Sequence, residues 1–128
     1  MSENFKISKN KQIFITPPIV NGDQWLQASR IKYNLSDKEL SKPNRNLENT
    51  KLYSQKCVEI GEKIGVGVLD LFSLMEAEPV EVRNGLLSDG LHLSQAGNVF
   101  LFEKLKEKFL VELTKDVEQF LPNWRDLP

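Results

Sequence analysis

The sequence predicts an α/β fold in which short parallel strands are covered by helices. Three observations predict it. Two short runs, "IFI" at Ile13 and "VGVLDLF" at Val66, are apolar on both alternating faces, as a strand buried on both sides must be. Between and after them, apolar residues recur at helical spacing over residues 50–64 and 95–118. The resulting order of strand, helix, strand, helix is that of βαβ units, which form parallel sheets.

Each element follows from its residues. Residues 1–11 are polar and lysine-rich and make a loose start. A strand is expected at about residues 12–16, closed by Pro17 and Pro18, because proline cannot donate to the ladder of a sheet interior. Residues 21–48 read as a long surface excursion with a helical turn at 24–31. In the next helix Tyr53, Cys57, Ile60 and Ile64 fall at i, i+4, i+7 and i+11, and Gly65 stands where a left-handed C′ residue is needed. The second strand lies within 66–72, and 73–86 form a loop or a short helix. Ser94 is placed to cap the last helix, whose apolar stripe is Leu101, Leu105, Phe109 and Leu113. Phe120, Leu121 and Trp124 are apolar anchors expected to dock the tail. Only two strands are legible, and an independent sheet normally needs three or more. The chain therefore reads as part of a doubly wound domain, with its site outside the carboxyl ends of the strands.

Composition narrows the function classes. The 128 residues suit one domain, and 40% hydrophobic with 27% charged residues is ordinary for a globular protein. Seventeen basic against eighteen acidic residues give a formal net charge of −1, so nothing calls for a nucleic-acid partner. The lone cysteine, Cys57, cannot form an internal disulfide, and the first ten residues carry no secretory apolar core. No apolar run is long enough to span a bilayer. A cytoplasmic protein with no membrane span is the expectation.

The stretch "LSDGLHLSQAGN", residues 87–98, holds the one histidine, His92, three residues after Asp89. In a hydrolytic triad an imidazole takes the nucleophile's proton at one nitrogen while a carboxylate holds the other and stabilises the imidazolium that develops. Histidine suits this because its ordinary pKa lies near neutrality. On these two residues alone, a capping aspartate beside a surface or core histidine is the stronger reading. A metal site would rest mainly on carboxylates such as Asp70 and Asp89, which gives zinc little support.

More than this pair matches a known pattern. "FITPPIV", "VLDLFSLM", "LLSDGLHLSQAGNVFLFEKL" and "LPNWRDL", in this order from Ile13 to Leu127, closely resemble the carboxyl-terminal portion of the isoamyl acetate-hydrolysing esterases of the SGNH (GDSL) hydrolase superfamily. The resemblance implies a partial three-layer α/β/α, flavodoxin-like fold with a short parallel sheet, the chain (1–128) being a single partial SGNH hydrolase domain. It implies hydrolysis of small, short-acyl esters such as acetate esters by a Ser-His-Asp mechanism with no cofactor. At matching positions His92 is similar to the catalytic base and Asp89 to its orienting acid. Pro17, Pro18 and Trp25 match segments near the site and stand as pocket or support residues.

The departures from the family pattern are specific. The Gly-Asp-Ser block that carries the nucleophile is not in the sequence, nor are the glycine and Gly-x-Asn-Asp blocks of the oxyanion hole. Ser73 follows a strand but has bulky neighbours, Phe72 and Leu74, and no Gly-x-Ser-x-Gly elbow. Ser88 and Ser94 belong to the loop of Asp89 and His92 itself. The chain alone is thus expected to be weak or inactive, with the serine contributed by a longer natural form, or by a complementing chain or dimer. A non-catalytic module that binds a partner or a small acyl ligand is the alternative.

Overall fold

The computed structural model describes residues 6–120, with side chains through residue 110. The element order is a 3-10 turn at Lys9–Lys11, β1 (Ile13–Ile15), α1 (Gly22–Tyr33), α2 (Leu47–Ile64), β2 (Gly67–Leu69), α3 (Leu71–Glu76), α4 (Val80–Gly85) and α5 (Gln95–Phe120). The strands are parallel and in register, Ile13 opposite Gly67, Phe14 opposite Val68 and Ile15 opposite Leu69. The fold is the expected partial α/β architecture with a short parallel sheet.

Helices cover both faces of this sheet, and the alternation of strand side chains shows how. Phe14 and Val68 project toward α2, where a β-carbon added at Gly61 would collide with the Val68 side chain. One residue back, a β-carbon at Gly67 would point the other way and meet the Phe109 ring of α5 at 2.9 Å. Lys108 on α5 also donates from Nζ to the Val68 carbonyl at 2.6 Å. The order is therefore helix, sheet, helix.

Closeness of approach overturns most of one expectation about α2. Of the apolar stripe read from spacing, Tyr53, Ile60 and Ile64 are exposed, and Cys57 alone is half-buried. The buried residues of α2 are the small Ser54 and Gly61. Small side chains let the helix axis come near the strands, and the larger apolar residues are turned off the contact. The α5 stripe behaves as expected at Leu101, which packs on the core, and at Phe109, which is buried. Leu113, Phe120, Leu121 and Trp124 lie outside the described side chains.

Capping explains the helix starts. Asn21 Oδ1 accepts from the Gln24 N–H at 3.1 Å and begins α1 two residues before the expected turn. Asn46 does the same for Asn49 at 2.8 Å and begins α2. Gly65 ends α2 at φ 76°, the left-handed conformation expected of it. Asp70 caps α3, accepting from the Ser73 N–H at 3.1 Å and from its hydroxyl at 2.7 Å.

The main apolar cluster sits at the carboxyl edge of the sheet. It joins Ile19, Leu71, Phe72, Met75, Leu86 and Leu87, with Leu93, Phe100 and Leu101 packed against it. Thr16 staples the two strand ends above this cluster. Its N–H donates to the Leu69 carbonyl at 3.0 Å, and its buried hydroxyl accepts from the Phe72 N–H at 3.0 Å. Among the described residues no helix is long and apolar enough to cross a membrane.

Candidate active site

The segment from Leu86 to Ser94 folds back on itself. Ser88 N–H donates to the His92 carbonyl at 2.9 Å, and Ser94 N–H to the Leu86 carbonyl at 2.9 Å. Leu87 and Leu93 form an isolated antiparallel bridge. The Ser94 hydroxyl donates to the Gly85 carbonyl at 2.6 Å and accepts from the Gly97 N–H at 3.1 Å, so one side chain ties the loop to the start of α5.

Asp89 uses both carboxylate oxygens inside this loop. Oδ1 accepts from the Leu91 and His92 N–H groups at 2.9 and 2.8 Å, which is an Asx turn. Oδ2 meets His92 Nδ1 at 2.7 Å. With Oδ1 fixed by the backbone, Oδ2 has one direction left, and the imidazole lies along it. Carboxylate contact at Nδ1 favours the tautomer with its proton there and leaves Nε2 as the acceptor, the state a general base requires. The His92 side chain is 62% exposed and Asp89 30%.

Partial burial pushes the Asp89 carboxyl up. The hydrogen bonds from the His92 N–H and ring and from the Leu91 N–H, with the His92 charge, outweigh it and hold the pKa at about 2. A carboxyl with a lowered folded-state pKa contributes stability that is complete above its ordinary value of 3.8 and is lost as pH falls toward about 2. Urea unfolding of the wild type and Asp89→Asn should therefore differ most above pH 4 and converge across that window. Solvent screening limits the difference to about 1 kcal/mol. A gap that persists unchanged at the acid end would contradict this assignment.

Gly90 docks the loop on α1. It sits at φ 89°, and its carbonyl accepts from the Asn21 N–H at 2.8 Å. This brings His92 against Trp25, ring centroids 5.9 Å apart and planes at 73°. Trp25 is buried, and its Nε1–H donates to Asn44 Oδ1 at 2.8 Å. Beside the loop lies a cleft of about 460 Å³ lined by Pro17, Pro18, Val20, Leu91 and, from the start of α2 and the turn before it, Asn44, Arg45, Asn46, Asn49, Thr50 and Tyr53. The proline pair and the loop of Asp89 and His92 thus meet at the carboxyl edge of the sheet, where the expected topology puts a site.

No protein-family model matches the chain. Individual proteins do. An isoamyl acetate-hydrolyzing esterase 1 homolog of Rattus norvegicus is 33% identical over 121 residues, covering 94% of this chain and 45% of that protein. The human homolog is 32% identical over the same coverage. A GDSL esterase/lipase of Arabidopsis thaliana is 33% identical over 100 residues, 78% of this chain and 39% of that protein.

The chain is a homologue of the isoamyl acetate-hydrolysing and GDSL esterases. It spans less than half the length of these relatives. In this GDSL-esterase homologue the serines singled out by sequence are occupied locally. Ser73 bonds Asp70, Ser94 bonds Gly85 and Gly97, and the Ser88 hydroxyl donates to the His92 carbonyl, not to its ring. The polar cleft wall of Asn44, Arg45 and Asn49 was not anticipated. Its one legible signal is the spacing of Asn46 to Asn49 at the mouth of a helical pattern, a capping signature.

Proposed function

We propose that this chain is the acid–base half of a carboxylic-ester hydrolase. His92 acts as general base through Nε2, Asp89 orients it and stabilises the imidazolium, and the nucleophilic serine and the oxyanion donors come from a segment outside these 128 residues. The residues 1–128 then form one partial domain. The observation that carries the reading is the 2.7 Å contact of Asp89 Oδ2 with His92 Nδ1, in a loop that leaves Nε2 for a proton. The similarity to esterases supports the same reaction class, and small acetate-type esters are the substrates it suggests. Pro17, Pro18 and Leu91 give the cleft an apolar wall, which reaches the base's loop at Leu91, and Trp25 meets the His92 ring edge-on. The reaction is the family's: the serine attacks the ester carbonyl, its proton passes through His92 to the leaving alcohol, and an acyl-serine remains; water then attacks that acyl group, and its proton passes through His92 to the serine oxygen as the acyl–serine bond breaks and the carboxylic acid leaves.

The test is hydrolysis of p-nitrophenyl acetate. The chain alone should stay near the buffer rate. The chain joined to, or mixed with, a segment bearing the Gly-Asp-Ser and oxyanion blocks should turn over, and His92→Ala should lower that rate by roughly 10²–10⁴-fold. Undiminished turnover in His92→Ala would remove the base assignment. Labelling of the lone chain by a serine-directed fluorophosphonate would refute the placement of the nucleophile elsewhere.

A further inference from the structure

His92 is held by few groups. Its side chain is largely exposed, and among the described residues the two side chains that hold its ring are Asp89, at Nδ1, and Trp25. A ring held at one atom can still swing about that contact, and the roughly perpendicular indole closes the swing on one side. Trp25 can do this only while its own plane is fixed. Packing buries it, and a buried indole N–H needs an acceptor. That acceptor is Asn44 Oδ1, at 2.8 Å, from the turn before α2. Asn44 also lines the cleft beside Pro17, Pro18 and Leu91.

We propose that Asn44 is a positioning residue for His92, acting through Trp25. Asn44 orients the indole, and the indole limits the imidazole to the orientation in which Asp89 and an incoming proton donor are served together. The catalytic meaning of this brace rests on the proposed esterase reading; its geometry does not.

His92 is the sole histidine, so its ring C–H signals in proton NMR of the full chain stand unambiguously for it. They should be displaced by the ring current of Trp25. Asn44→Leu, which has no acceptor, should abolish most of that displacement, and Asn44→Asp, which keeps an oxygen, should retain it. In a Trp25→Phe background, where there is no N–H to hold, Asn44→Leu should cause no further movement, the non-additivity of a shared path. A purely structural role for Asn44 would lower the unfolding midpoint and leave the His92 signals in place. Unmoved His92 signals in Asn44→Leu, or a further shift in the Trp25→Phe background, would overturn the proposal. If Asn44→Leu does not fold, Asn44→Ser, too short to reach the indole, carries the same two outcomes. Absence of ester hydrolysis when the chain is joined to, or mixed with, a segment bearing the Gly-Asp-Ser and oxyanion blocks would sink the esterase reading and leave this NMR result standing, so the two fail separately.

Discussion

Gly90→Ala should destabilise the chain by ~2–5 kcal/mol and release the loop of Asp89 and His92 from α1. Two costs combine. Gly90 lies at φ 89°, where a β-carbon costs about 1–2 kcal/mol. That carbon would also stand 2.5 Å from the Asn21 carbonyl oxygen and 2.6 Å from the Trp25 nitrogen, both backbone atoms of α1 that cannot swing aside. Overpacking of this kind adds about 1–3 kcal/mol. Because the Asx turn and the bond from Asp89 to His92 are internal to the loop, they should survive the displacement, and the contact with Trp25 should not. Chemical denaturation gives the first quantity and the His92 ring signals the second. A variant with wild-type stability and wild-type His92 signals would show that the loop is not docked through Gly90.

Phe72→Ala should cost ~3–5 kcal/mol, the range for removing a fully buried aromatic ring. Phe72 is 1% exposed and lies at the centre of the cluster with Ile19, Leu71 and Met75. Its N–H also donates to Thr16, so a shift in its backbone loosens the staple between the strand ends. Whole domains are stable by only about 5–15 kcal/mol, and the described residues hold two strands of three residues each. Loss of a cooperative thermal transition is the expected outcome. Phe102→Ala on exposed α5 surface is the control and should stay within about 0.5 kcal/mol of wild type. Equal effects of the two substitutions would mean that the cluster is not what holds the chain together.

Both strands were legible as apolar β-favouring runs, but the second is shorter than its run: Asp70 caps α3, and Leu71 and Phe72 belong to that helix. The inner face of α2 was not legible. Periodicity says which residues share a face, and the habit of turning the apolar face inward then selects Tyr53, Ile60 and Ile64. That habit fails where a helix must come close, since Gly61 and Ser54 admit the strands and bulky residues would not. The pairing of Asp89 with His92 was suggested by local spacing and type. The placement of Asn44 beside Trp25 was not, because it joins a turn to a helix across 19 residues and depends on how both are docked. Local chemistry can be read from spacing, but contacts made by docking need the fold.

The loop from Leu86 to Ser94 has one more consequence, for the order of assembly. Asp89 and His92 are three residues apart, and the bonds that close their loop join Ser88 to His92 and Leu86 to Ser94. Short closures cost little chain entropy and take on the order of 10–100 ns. The contacts that seat the loop, Gly90 on Asn21 and His92 on Trp25, span most of the chain and must wait for α1 and the strands. The paired Asp89 and His92 therefore depend on bonds that a short segment can close before its surroundings exist. Folding then only has to deliver it, already formed, to the carboxyl edge of the sheet.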